Sequence, residues 1–420
     1  MCRTEEEMGE ESGRRRKYWG LRRYKGVMGL KRGNIIHQSR VDKLRNFMVL
    51  RSKMKLRATS SVMPWENFGT SEWGRGGSCR TDHRHRRVMA LNLSSKGLKG
   101  TIAKEVGNLS FLISIQELFL YNNSLTGPIP PAILNISSLQ MIDLQYNFLG
   151  SFSQCSEIKF LALSYNEFTG SIPGKLGNLS KLEQLYLGNN SLTGELPSTI
   201  FNISSLTLLS AKFNMISGSL PHDICKKTTR LKTLNLYKNQ IGGQIPSSIS
   251  GCQSLKEFSL AYNNISGVIP AEIGNMSALQ NLFLGSNNLT GELPFNFLNI
   301  SSLTKIGLGS NRFTGNLPED LCFMHPKLEY LELLSNQLYG QIPFSLSHCS
   351  ALYDIELGTN YFTGGIPAEI GNITDLQYLY LSNNSLTGWY CRFIYHGCVD
   401  KNLKLFKFPI SLRFFFFCLG

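Results

Sequence analysis

The chain has 420 residues, of which 42% are hydrophobic and 17% charged, and a formal charge of +14. That charge is not one basic surface: residues 1–87 hold 22 Lys+Arg against 9 Asp+Glu, residues 88–388 hold 16 against 19, and residues 389–420 hold 5 against 1. A basic nucleic-acid groove along the central stretch is therefore excluded, and so is a long disordered polyelectrolyte there.

Residues 1–70 carry the basic runs Arg14-Arg15-Arg16-Lys17 and Arg51-Ser52-Lys53-Met54-Lys55-Leu56-Arg57. They read as a disordered or mispredicted leader, because charge runs are most often solvated. A nuclear signal or a patch for anionic surfaces is the other reading. No apolar stretch of secretory type is visible near Met1.

From Val88 to Gly388 one segment recurs thirteen times, with an LxxLxL core whose second leucine runs from Leu91 to Leu379. Most steps are 24 residues, two are 25, one is 27 and one is 19. A period in this range marks a solenoid, which offers a long curved surface and suits binding better than chemistry. Leucines alternate with variable residues in the core, so each copy predicts a short strand with one buried face, stacked in parallel on its neighbours. Five residues after the core leucine stands an asparagine, at Asn123, Asn190, Asn311 and nine further copies; Lys96 replaces it in the first copy. An inward amide has two donors and an acceptor with which to satisfy turn backbone, so these asparagines are structural. Then come Leu-Thr-Gly-x-Ile/Leu-Pro, as at Leu125–Pro130, and a short helical or 3-10 return such as Ala271–Ser277. The expected fold is an α/β solenoid, a right-handed superhelix with a parallel concave sheet and short convex turns.

The template LxxLxLxxNxLTGxIPxxIGNLSxL resembles the plant-type leucine-rich repeat of receptor-like kinases and receptor-like proteins. Asn299-Ile300-Ser301-Ser302-Leu303 and Gly177-Asn178-Leu179-Ser180-Lys181-Leu182 resemble the immune-type receptor kinase ectodomains. Such ectodomains begin with a cap of the form C-x-W-x-G-V-x-C. Residues 71–87 match it in degenerate form: Trp73 and Cys79 fit, Ser71 stands where the first cysteine belongs, and Cys79 is left without its cap partner. Repeat 3 is short, with Asn147–Cys155 lacking a standard GxIP turn, and residues 389–420 form an atypical tail. Without caps, the terminal strand edges are expected to be open and aggregation-prone. No GxGxxG loop, HRD or DFG is present, so kinase activity does not carry over and no enzyme is expected. The apolar run Phe414–Leu419 is far short of the ~20 residues that span a bilayer. The resemblance implies a truncated ectodomain at the outer face of the plasma membrane or in the apoplast.

Cys225 and Cys252 lie 27 residues apart, as do Cys322 and Cys349, at matching repeat offsets; each first cysteine falls in one of the two 25-residue steps. Two disulfides between adjacent turns are expected in an oxidising compartment, and buried free cysteines are the alternative. Cys155 matches the second position of such a pair, but its partner position holds Leu134. No zinc site or cofactor is expected, since no paired CxxC occurs. Thirteen N-x-S/T sequons occur, and those on the convex side, Asn108, Asn135, Asn178, Asn202, Asn275, Asn299 and Asn372, are the expected glycosylation sites.

The variable strand positions expected to face the concave side include Phe119, Tyr121, Tyr186, Lys212, Tyr237, Phe283, Lys305, Tyr330, Glu332, Asp354, Glu356, Tyr378 and Tyr380. Exposed aromatics there suit interface anchors, and Glu332, Asp354 and Glu356 suit a basic group on a ligand. The leading expectation is recognition of a peptide or protein, with a leucine-rich co-receptor kinase as further partner, in defence or developmental signalling. A soluble inhibitor or decoy, or a non-functional receptor fragment, are the alternatives.

Overall fold

The computed structural model describes residues 78–82, 87–102, 115–134, 136–151, 157–294, 300–387 and 404–405. Its principal sheet contains thirteen parallel strands, one per repeat, from Arg87–Asn92 to Tyr378–Tyr380, hydrogen-bonded in sequence order. Counting repeats 1–13 from the core residues Leu91 to Leu379, the register never slips: Leu185 faces Leu161 and Leu209, and Leu331 faces Ile306 and Ile355. Most of these strands are three residues long, because the LxL unit supplies only one inward residue between two variable ones. The leucines flanking it close the core beneath the sheet; Leu182, Leu185 and Leu187 are all fully buried. Phe168, Phe258, Phe313 and Phe362 fill the widest parts of the core.

The ladder asparagines end each strand as expected. In repeat 10 the Asn311 Oδ1 accepts the Leu289 N–H at 3.0 Å, and its Nδ2 donates to the Leu284 and Leu308 carbonyls, both at 3.0 Å. One amide thus joins two repeats and satisfies backbone that has left the sheet. In repeat 1, where Lys96 stands in the asparagine's place, the Lys96 and Leu98 N–H groups reach forward to Asn123 Oδ1 instead. The residue before each ladder position sits at φ between +55° and +58°, from Ser95 to Asn383. That left-handed step is uncommon for residues other than glycine, and the sequence pattern did not announce it.

The LTG segments form a second row of short parallel sheets that sequence reasoning missed, such as Ser266–Gly267, Asn288–Glu292 and Arg312–Thr314. Gly218 shows why glycine recurs there: φ is +76°, and a Cβ would lie 2.5 Å from Glu195 Cγ. The convex returns are mostly 3-10. Six five-residue 3-10 turns, such as Ser198–Asn202, start directly after the proline, whose carbonyl accepts their first bond (Ile200 N–H to Pro197 at 3.1 Å). Among the described residues, two returns close as four-residue α-helices, Pro131–Leu134 and Leu321–Met324.

At both ends a strand without the repeat pattern extends the sheet and becomes its outer edge. Ser78–Asp82 pairs antiparallel with Arg87–Asn92, placing Cys79 opposite Leu91. Lys404–Leu405 pairs parallel with Tyr378–Tyr380, placing Leu405 opposite Leu379, so the tail adds one more rung to the ladder. Strand pairing also begins one residue before the expected boundary at Val88. Ser71, Trp73 and Cys155 lie outside the described residues.

Candidate ligand-binding face

The variable residues either side of each inward leucine form the concave face, and parallel register brings like positions together. Repeats 11 and 12 set Tyr330 beside Asp354 and Glu332 beside Glu356; repeat 13 adds Tyr378 beside Asp354 and Tyr380 beside Glu356. Phe119, Tyr186, Phe283 and Lys305 occupy equivalent strand positions. Tyr121, Lys212 and Tyr237 do not: each lies two residues beyond its strand. The expected exposure is also corrected. Of the thirteen residues only Tyr121 is exposed, and the other twelve are half-buried. Adjacent strands are only ~4.8 Å apart, so a large side chain lies down over its neighbour. Phe160 and Tyr186, for example, have ring centroids 5.5 Å apart.

The acidic group is the electrostatic centre of this face. The Tyr330 hydroxyl donates to Glu332 Oε2 at 3.0 Å. The Glu332 carboxylate lies over glycines of the preceding repeat: a Cβ on Gly309 would sit 2.6 Å from Glu332 Oε1, so a side chain there would displace it. Asp354 Oδ1 is buried and accepts no hydrogen bond. No cation pairs with Glu332, Asp354 or Glu356; among the described residues the ion pairs are Lys181 with Glu157 and Lys305 with Glu329, the latter at 3.6 Å. Burial, then the neighbouring Glu332 charge, pushes Asp354 up to about 7. Burial, then Asp354 and Glu332, pushes Glu356 up to about 7. Glu332 is raised by burial as well, against the pull of the Tyr330 hydrogen bond. Burial and these three carboxylates raise the Tyr330 phenol in turn. Three carboxylates on adjacent strands with no counter-charge among the described residues destabilise the fold as they ionise.

With this geometry in hand, similarity to known proteins is informative. The leucine rich repeat family models match residues 229–289 and, separately, 114–136, 181–203 and 375–396. A leucine-rich repeat protein of Leptospira interrogans of known structure is 30% identical, with a TM-score of 0.56 over 70% of this chain and 78% of its own. The chain belongs to the leucine-rich repeat family. Within that family the plant receptor RGFR1, solved with its peptide hormone RGF2, is 32% identical with a TM-score of 0.67 over 71% of this chain. The ectodomain of the Arabidopsis receptor kinase HAESA, solved with an IDA peptide hormone, is 28% identical with a TM-score of 0.65 over 71% of this chain. Receptor-like protein 31 of Arabidopsis thaliana is 33% identical over 104 residues. The leucine-rich repeat chain covers 48% of the RGFR1 chain, 50% of the HAESA chain and 12% of receptor-like protein 31.

Three exposed aromatics of this leucine-rich repeat chain, Tyr146, Tyr165 and Tyr262, stand at the left-handed position after their strands. Tyr146 and Tyr165 stack at 4.1 Å with Tyr121 edge-on to Tyr146 at 5.3 Å, and Phe213, Tyr237 and Tyr262 form a second row at 5.1 and 5.2 Å. Tyr146, Tyr165, Phe213 and Tyr262 directly precede ladder asparagines, a position in the sequence that the alternation rule ignores. On the convex side Cys225 is bonded to Cys252 and Cys322 to Cys349, with Cα separations of 5.0 and 5.2 Å. The sequon asparagines Asn178, Asn202, Asn275 and Asn372 end their 3-10 turns exposed. Asn108, Asn135 and Asn299 lie outside the described residues. Exposure does not single out the convex set, since Asn122, Asn264, Asn288 and Asn383 near the strands are exposed too. Among the described residues no group of three His, Cys, Asp or Glu is placed to hold a metal, and no helix is long and apolar enough to cross a membrane.

Proposed function

We propose that this leucine-rich repeat chain is a recognition module for a peptide or protein, read on the concave face of repeats 10–13. One observation carries the reading: Tyr330, Glu332, Asp354, Glu356, Tyr378 and Tyr380 converge in register with the three carboxylates unneutralised. A lysine or arginine of an extended ligand supplies the missing charge, and the flanking tyrosines supply its apolar contacts. Phe119, Tyr186, Lys212, Tyr237, Phe283 and Lys305 extend the contact surface towards the N-terminus, with Tyr121 at its exposed end. No sequon falls between Asn299 and Asn372, so the strands Tyr330–Glu332 and Asp354–Glu356 lie in a stretch free of sequons. The likeness to receptors solved with peptide hormones supports the same reading, as does HAESA in complex with IDA and the co-receptor SERK1, whose likeness here is 27% identity at a TM-score of 0.58. By that likeness the module acts outside the cell as part of an immune-type receptor system, recruits a leucine-rich co-receptor kinase and serves defence or development. The disulfides and the exposed sequons at Asn178, Asn202, Asn275 and Asn372 suit that compartment.

The test is selection of extended ten-residue peptides from a random library on the full chain, repeated at pH 5 and pH 8. Basic peptides are expected to enrich, more strongly at pH 8, where the carboxylates are ionised, and Glu332→Gln with Glu356→Gln is expected to abolish the enrichment. Enrichment blind to peptide charge or to those substitutions rejects the site.

A further inference from the structure

The two 25-residue repeats share more than a disulfide. Three residues after the first cysteine of each pair, Thr228 and His325 occupy the same position, both with zero exposure. Thr228 Oγ1 and both ring nitrogens of His325 are buried without a hydrogen-bond partner. The backbone geometry matches as well: the Thr228 carbonyl accepts from Leu231 at 3.1 Å, and the His325 carbonyl from Leu328 at 3.0 Å. An unpaired hydroxyl in that slot is a fixed cost. An unpaired imidazole is a cost that depends on pH.

We propose that His325 is an acid-sensitive latch: protonation makes the ring untenable between repeats 10 and 12 and opens the turn that feeds the strand Tyr330–Glu332. The geometry supports this at each side of the ring. His325 ends the helix Leu321–Met324, its own N–H donating to Leu321 at 3.1 Å. The Cys349 sulfur of the next repeat lies 3.1 Å from the His325 carbonyl oxygen. The 3-10 turn Phe344–His348 packs on the helix, but its titratable member, His348, is exposed and set against Phe323 at 4.4 Å. Glu319, Asp320 and Lys327 next along the chain are exposed. Among the described residues no charged side chain bears on the ring; the Ile300 carbonyl favours its charged form, and burial outweighs it, holding the imidazole below its ordinary value.

The sign follows from linkage. A histidine lowered in the folded state contributes stability present above its unfolded value, near 6.5, and lost as pH falls below it. Among the described residues the Ile300 carbonyl is the one acceptor that favours the charged ring, and it does not offset burial, so the ring escapes by a local opening of the turn. The Cys322–Cys349 bond holds the two turns together while it happens. The device operates whether or not the concave face holds a ligand.

Hydrogen exchange of the full oxidised chain tests this, at pH 5 and 7.5 with intrinsic rates corrected. Residues 321–332 are expected to lose protection at pH 5, by about tenfold for each pH unit by which the fold lowers His325. The equivalent residues 224–235 around Thr228 are expected to keep theirs. His325→Leu should abolish the difference, and Thr228→His should create one in repeat 7. Unchanged protection of 321–332 in the wild-type chain overturns the latch. If neither variant folds, an NMR titration of the wild-type ring decides: a value below 6.5 supports the latch, and one at or above 6.5 refutes it.

Discussion

Repeats 7–8 and repeats 11–12 are the same device built twice. Each begins with a 25-residue step, staples its convex turn to the next through a 27-residue disulfide loop, and buries an unpaired polar group three residues after its first cysteine; the second also buries the unpaired Ser345 hydroxyl. They part company on the concave face. In repeats 7–8 the paired positions hold Thr233, Asn235, Glu257 and Ser259, and the one carboxylate is satisfied by Asn235 Nδ2 at 3.1 Å. In repeats 11–12 the same positions hold Tyr330, Glu332, Asp354 and Glu356, with like charges opposite one another. The scaffold terms are therefore shared, and what remains different is the part free to vary with a ligand.

The largest effect expected is loss of a staple. Replacing both cysteines of either pair by serine should cost roughly 3–4 kcal/mol, the chain entropy of a loop of this length. Denaturant unfolding at pH 7.5 should give the two variants equal losses. At pH 5 the Cys322→Ser/Cys349→Ser chain should lose more, because a protonated His325 then has no tether to limit its opening. Equal losses at both pH values would make the two devices interchangeable and remove the distinction drawn between Thr228 and His325.

What was legible from sequence divides along similar lines. The period, the inward leucines, the ladder asparagines and the 27-residue cysteine spacing are one-dimensional properties of a solenoid, where every contact is with the next copy, and the structure follows them. The in-register acidic group was legible for the same reason: Glu332, Asp354 and Glu356 share repeat positions. The edge strands Ser78–Asp82 and Lys404–Leu405 were not, because neither carries the repeat pattern and each is recruited by an open sheet edge. Side-chain lean was not legible either. Alternation says which face Tyr330 belongs to, whereas its burial depends on the glycines and carboxylates of neighbouring strands.

A smaller effect should separate the concave faces by pH. Asp354 and Glu356 are raised to about 7, above ordinary carboxylate values, so the stability they contribute is present at acid pH and is lost as pH rises through about 7. Glu356→Gln removes one member of the like-charged set. Thermal melts should show it stabilised relative to wild type at pH 8 and unchanged at pH 4, where the wild-type group is already protonated. Stabilisation equal at both pH values would point to packing instead of charge.

The smallest effect is the converse, writing the acidic face into repeat 7. Asn235 occupies the position of Glu332; its register partner is Ser259, and Glu257, at the position of Asp354, lies diagonally across and accepts its hydrogen bond at 3.1 Å. Asn235→Glu removes the hydrogen bond to Glu257 and sets two carboxylates side by side, which should cost a few tenths to about 1 kcal/mol at pH 8. Repeat 8 has Glu257 and Ser259 where repeat 12 has Asp354 and Glu356, so the graft reproduces two of the three carboxylates. Burial first, and then the neighbouring carboxylates, raise Asp354 and Glu356. The grafted pair should therefore titrate closer to ordinary carboxylates, with its pH-dependent loss centred below that of repeats 11–12 in unfolding measured from pH 4 to 8. A loss centred at the same pH would show that the backbone slot, shared by both devices, sets the titration, and that the particular neighbours in repeats 11–12 do not.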